Sequence, residues 1–123
     1  MLLAWDPVNQ KERWRAPAGG ASGGGTVSTA GNLVIQVVPD GRLMAYTADK
    51  GEKLVEIQTG LRGGMGPPIT YQLDGKQYVA LAGGQGATGG RGRGGAQVTP
   101  KLLVFTLDGK SPLPSAPASA PEK

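Results

Sequence analysis

Laid over LMAYTADKGEKLV (residues 43–55), the stretch LLAWDPVNQKERW (2–14) places Leu2 on Leu43, Ala4 on Ala45, Trp5 on Tyr46 and Trp14 on Val55, an offset of 41 residues. A third copy, LLVFTLDGK (102–110), puts Phe105 where Trp5 and Tyr46 stand. Ahead of the last two copies runs a second similar pair, AGNLVIQV (30–37) and DGKQYVALA (74–82). A unit of this length built from short apolar segments buries its faces only by stacking on its neighbours. A period in the low forties with four strands per unit is the signature of a β-propeller blade.

The apolar segments are LLAW (2–5), ERWR (12–15), TVSTA (26–30), NLVIQV (32–37), RLMAY (42–46), EKLVEI (52–57), PITYQL (68–73), KQYVALA (76–82) and KLLVFTL (101–107). Several alternate, Val, Ile, Thr and Tyr are frequent in them, and no stretch of ten residues carries a helical period, so the chain is predicted to be all-β and antiparallel. Turn signals fall between the segments at Ala30-Gly31-Asn32, Pro39-Asp40-Gly41, Asp74-Gly75 and Asp108-Gly109, where Gly or Asn takes positive φ at little cost. The first two strands form the outer half of one blade, the next four a complete blade, and the last three a blade without its fourth strand. About two and a quarter blades do not close a ring of four to eight. Residues 1–110 therefore read as part of a propeller whose open strand edges pair with the rest of the propeller or with another copy. Residues 111–123, SPLPSAPASAPEK, read as a disordered tail with nothing to bury.

With neither cysteine nor histidine, disulfides, thiolate or imidazole metal sites and Ser-His or Cys-His nucleophile pairs are excluded. The net charge of +4 comes from basic residues spread along the chain, which predicts a solvated surface and no nucleic-acid partner. The longest apolar runs fall far short of the roughly 20 residues that span a bilayer, and MLLAWDPVNQ does not resemble a signal peptide. Asp6, Asp40, Asp74 and Asp108 sit beside Pro or Gly in turns, where a carboxylate caps backbone amides. No carboxylate pair is placed as an acid/base couple, so no catalytic residue and no metal ligand is assigned.

The stretch QYVALAGGQGATGGRGRGG (77–95) is the least ordinary segment. Gly84-Gln85-Gly86-Ala87-Thr88-Gly89 spells G-x-G-x-x-G, but the following GRGRGG forms no helix on which a pyrophosphate could rest. Arg91 and Arg93 echo the arginine-glycine segments of RNA-binding proteins, without an interleaved aromatic. A loop without a ligand is the plainer reading.

Taken together, LLAWDPVNQKERW, GGGTVSTAGNLVIQ, DGRLMAYTADKGEKL, PPITYQLDGKQYVALAGG and KLLVFTLDGKSPLP resemble the PQQ-dependent quinoprotein alcohol dehydrogenases of the methanol and ethanol type, in order and nearly in spacing, over residues 2–114. The resemblance implies the C-terminal part of an eight-bladed propeller in a periplasmic oxidoreductase. Its parent would bind PQQ with calcium or a lanthanide, oxidise alcohols, and pass electrons to an acceptor such as a cytochrome c. It also implies that the metal ligands and the catalytic base lie outside this chain, which alone is expected to be inactive. The family's Ala-x-Asp-x-x-x-Gly-x-x-x-Trp docking motif is matched by Ala4, Asp6 and Trp14, with Gln10 in the glycine place; the next copy matches at Ala45 and Gly51 and departs at Thr47 and Val55. Trp14 is then interblade packing rather than catalysis.

Near the cofactor, Gly23 stands where members carry a tryptophan before Gly-Gly-Thr, and Gly84-Gln85-Gly86 stands for Gly-Trp-Gly-Gly. The resemblance makes Gly84, Gln85 and Gly86 the candidate cofactor-binding residues, the Gln85 amide offering hydrogen bonds to a cofactor carboxylate or carbonyl. The alternative reading is a non-catalytic propeller serving as a scaffold for protein contacts.

Overall fold

The computed structural model describes residues 1–17, 24–61, 65–84 and 100–113. They form nine strands: β1 (Leu2–Asp6), β2 (Lys11–Ala16), β3 (Thr26–Thr29), β4 (Leu33–Val37), β5 (Arg42–Thr47), β6 (Lys53–Gln58), β7 (Ile69–Leu73), β8 (Lys76–Gly83) and β9 (Lys101–Thr106). Every strand lies within a residue of the segment expected to form it. Among the described residues there is no helix.

The strands make three sheets: a first of β1-β2, a middle of β3-β4-β5-β6, and a last of β7-β8-β9. Each neighbouring pair is antiparallel. The tight turns use the residues that tolerate a left-handed backbone: Asn32 at φ 62°, Gly41 at 89°, and Asp74 and Gly75 at 49° and 74°. Asp108-Gly109 departs from this expectation. Gly109 is not in the left-handed region, and its N–H instead donates to the Thr106 carbonyl at 3.0 Å.

Register shows the repeat in three dimensions. Ala4 faces Trp14 in the first sheet and Ala45 faces Val55 in the middle sheet, and each pair is followed at once by a shift in register. β1 and β2 therefore correspond to β5 and β6, the outer half of a blade. In the last sheet Val79 faces Phe105 as Val34 faces Tyr46 in the middle one. β9 thus corresponds to β5, and no described strand pairs with its far edge.

The middle sheet is covered on both faces, which explains why β4 reads LVIQV as a nearly continuous apolar run rather than alternating with polar residues. One face packs on the first sheet through Trp14, Ala16, Val38, Met44 and Tyr46, with Leu2, Ala4 and Val34 at the margin. The other packs on the last sheet through Ile35, Val37, Leu43, Leu61, Leu81 and Leu103, with Phe105 and Met65 alongside. The far faces of the first and last sheets carry exposed apolar side chains: Leu3 and Trp5 on one, Ile69, Tyr71, Leu73, Leu102 and Val104 on the other.

Trp14 fixes the first sheet to the middle one. Its indole N–H donates to the Ala48 carbonyl at 2.8 Å, and its ring centre lies 6.2 Å from that of Tyr46. The ring rests on Gly51, where a Cβ would come within 2.5 Å of Trp14 Cδ2. The assignment of Trp14 to interblade packing is what the structure shows. Asp6 and Asp40 also behave as turn caps: Asp6 accepts the Val8 and Asn9 N–H groups, each at 3.0 Å, and Asp40 that of Arg42 at 3.1 Å.

Candidate cofactor-facing rim

Strand direction brings the glycine-rich segments together. The start of β3, the ends of β4 and β8, the segment after β6 and the segment before β7 all lie at one end of the middle and last sheets, as the antiparallel pairings require. Gly84 is there, buried, at φ 91°. Gln85 and Gly86, the other two candidate residues, lie outside the described residues, as do Gly23, Arg91, Arg93 and the tail beyond Leu113.

Backbone and apolar contacts hold this rim together. The Gly24 N–H donates to the Val37 carbonyl at 3.2 Å, and the Gly66 N–H to the Ala82 carbonyl at 2.9 Å. The second bond ties the approach to β7 onto the end of β8, beside Gly84. Thr59 closes the outer side: its N–H and hydroxyl both donate to the Gly41 carbonyl, at 3.0 and 2.6 Å, while its oxygen accepts the Leu61 N–H at 3.2 Å.

Met65 fills the seam between the two sheets. A Cβ on Gly83 would lie 2.6 Å from Met65 Cγ, and one on Gly24 would lie 3.2 Å from Met65 Cβ and collide with Val37. Glycine at positions 24 and 83 is therefore required by the protein's own packing. Sequence reasoning had no signal for Met65, because a lone methionine in a glycine-rich segment has no periodicity.

The electrostatics of the rim are quiet. Of the titratable groups with clear partners, Asp40 and Arg42 lie at this end, on the turn after β4, and the others sit on the opposite turns and on the outer strands. The Asn9 side-chain and backbone amides hold the Asp6 carboxyl below its usual range, and the Asn32 amide does the same for Asp49. Lys53 lowers Glu56, and the Arg42 backbone N–H, followed by its guanidinium, lowers Asp40. Burial pushes the Tyr46 hydroxyl up. Among the described residues no cluster of three or more acidic side chains could hold a metal.

The rim thus offers backbone amides, carbonyls and an apolar thioether side chain. Such a wall suits the flat face of a heteroaromatic ring.

Comparison with known proteins agrees with this architecture. Residues 4–79 match the PQQ family described as glucose/ethanol/alcohol dehydrogenase, beta-propeller domain. The quinohemoprotein alcohol dehydrogenase ADH IIB of Pseudomonas putida is 48% identical over 99% of this chain and 18% of its own length. The 1-butanol dehydrogenase (cytochrome c) of Thauera butanivorans is 43% identical over 93% of this chain and 17% of its own. Among solved structures, quinohemoprotein alcohol dehydrogenase ADHIIG of Pseudomonas putida HK5 superposes with a TM-score of 0.75 at 39% identity, covering 98% of this chain and 18% of that one. The chain belongs to the PQQ-dependent alcohol dehydrogenase β-propeller family, and it spans less than a fifth of the length of these relatives.

Proposed function

We propose that this chain is the C-terminal part of a PQQ-dependent alcohol dehydrogenase propeller, and that it contributes one wall of the cofactor site. Its parent oxidises alcohols and passes the electrons to a cytochrome c. The observation that carries the reading is the meeting of Gly24, Met65, Gly66 and Gly83, the residue before Gly84, at one end of two neighbouring sheets, in a chain with family-level similarity along its length. PQQ when bound supplies a two-electron acceptor. This chain's share is to position it: the Gly84 backbone approaches closely, and Gln85 and Gly86 follow as contacts, the Gln85 amide donating to a carboxylate or carbonyl oxygen.

Calcium or a lanthanide belongs to the parent's site, with its ligands outside this chain. The periplasmic location follows from the family resemblance, and the heme named in the quinohemoprotein relatives extends the electron path. The 1-butanol dehydrogenase name supports both a small primary alcohol as substrate and a cytochrome acceptor.

The test uses the longer polypeptide that contains this chain. PQQ affinity is read by absorbance titration in the presence of calcium, and alcohol-dependent dye reduction is followed separately. A Gln85→Ala variant is expected to bind PQQ about tenfold more weakly, as loss of a hydrogen bond to a charged group predicts. Unchanged affinity would remove Gln85 from the site. Turnover by residues 1–123 alone would show that the catalytic groups have been misplaced.

A further inference from the structure

Met44 and Met65 sit in opposite surroundings. Met44 is 3% exposed between the first and middle sheets, and its sulfur accepts the Tyr46 hydroxyl at 3.3 Å. Burial keeps an oxidant out, and the hydrogen bond occupies a sulfur lone pair. Met65 is only partly buried, in irregular backbone at the rim end of the seam between the middle and last sheets.

The place of Met65 is also one where polarity is poorly tolerated. Its side chain lies against Gly83 and Gly24, and it packs on the apolar cluster that contains Val37, Leu61 and Leu81. The amides that border it are already committed, Gly24 N–H to the Val37 carbonyl at 3.2 Å and Gly66 N–H to the Ala82 carbonyl at 2.9 Å. An oxygen added to the sulfur is a strong acceptor that competes for these amides. Taking the Gly66 N–H releases the bond that ties the approach to β7 onto the end of β8; left unpaired, the oxygen puts a polar group in an apolar seam.

We propose that Met65 is a modification site for hydrogen peroxide, and that its sulfoxide loosens the seam between the middle and last sheets. The step transfers one oxygen and two electrons. The sulfur attacks a peroxide oxygen, the S–O bond forms as the O–O bond breaks, and the departing hydroxide takes up the proton of the transferred oxygen to leave as water. The sulfur is oxidised and the peroxide reduced. Methionine sulfoxide reductases reverse the change. A weaker hold on PQQ is the further consequence, and it alone rests on the functional reading above.

The experiment treats the folded longer polypeptide with hydrogen peroxide, reads each methionine by peptide mass spectrometry, and reads stability by chemical denaturation. Met65 is expected to gain oxygen at least about tenfold faster than Met44, because exposure governs access. Oxidation is expected to lower the folding constant about tenfold, as an unpaired buried polar group does. Met65→Leu keeps the apolar volume and is expected to abolish that peroxide-dependent loss; Met65→Gln, polar and of similar length, is expected to reproduce it without peroxide. A methionine sulfoxide reductase is expected to restore the oxidised protein. Equal oxidation of Met44 and Met65, or a peroxide-dependent loss that persists in Met65→Leu, overturns the proposal. Should the variants fail to fold, amide exchange of the unaltered protein decides, and unchanged protection of the Gly66 N–H after oxidation overturns it. PQQ titration is read separately: a loosened seam with unchanged PQQ affinity would remove the cofactor-wall reading and leave the modification site standing.

Discussion

Gly41 and Leu61 compete for one space: the direction in which a Cβ on Gly41 would point is filled by the Leu61 carbonyl oxygen, and Gly41 itself has a φ of 89°. Thr59 holds the two segments in that contact through the Gly41 carbonyl. Gly41→Ala must therefore both strain the backbone and push backbone from backbone, with an expected loss of about 2–4 kcal/mol. Gly60 is the control, since its φ is 74° and nothing lies within 4 Å of its Cβ direction. Gly60→Ala should cost only the left-handed strain, about 1–2 kcal/mol. Urea denaturation of both variants reads the difference, and equal losses would mean that Leu61 is free to move.

Trp14 should be worth more than its area. Trp14→Ala is expected to cost about 3–5 kcal/mol as a buried aromatic deletion. Trp14→Phe keeps most of the packing but leaves the Ala48 carbonyl without its donor, for about 1 kcal/mol. Emission from a Trp5→Phe variant, in which Trp14 is the remaining indole, should be blue-shifted, since Trp14 is 9% exposed and Trp5 is 56% exposed. Red-shifted emission would place Trp14 in water and remove the interblade contact.

Acid should loosen the β1-β2 turn only once pH falls below the usual carboxylate range. The Asp6 carboxyl is held below its usual range, first by the Asn9 side-chain amide and then by the Asn9 backbone N–H. A carboxyl with a depressed folded-state pKa contributes stability that is fully present above its unfolded value of 3.8 and is lost as pH falls through the lower folded value. Carboxyl-carbon NMR should therefore give Asp6 a midpoint below 3.8. Asn9→Ala should move that midpoint upward while leaving Asp40 unchanged. A midpoint unaffected by the substitution would mean that the amide contact does not form in solution.

The strands were legible because each is bounded by turn residues and most carry β-branched or aromatic side chains, and the repeat set their order. The docking-motif match assigned Trp14 to interblade packing, and β2 does bury Trp14 and Ala16 between exposed neighbours. What could not be read was contact across sheets. Nothing local marks Met65 as the filler between Gly24 and Gly83, and nothing local says that Gly51 is small because of a tryptophan 37 residues earlier. The Asp108-Gly109 turn misled because its dipeptide matches a left-handed hairpin signal, while no described strand follows for it to lead into.

The far face of the last sheet governs how the isolated chain behaves. Ile69, Tyr71, Leu73, Leu102 and Val104 lie exposed on it, and the edge of β9 is open among the described residues. Tyr71 and Tyr78 stack there, with ring centres 5.3 Å apart. On the same face of the middle sheet, Val27, Ile35, Leu43 and Ala45 are packed against the last sheet. A contiguous apolar face with an unpaired strand edge is a template for association. Residues 1–123 expressed alone should therefore elute as oligomers or aggregates in size-exclusion chromatography with light scattering. Ile69→Lys combined with Val104→Lys, which places charge on that face without touching the buried core, should shift the population toward monomer. In the longer polypeptide the same double substitution should instead destabilise, because there the face is covered. A sharp monomer with a cooperative melt from the unaltered 123-residue chain would show that its strands close on one another, and would leave the open-blade account without support.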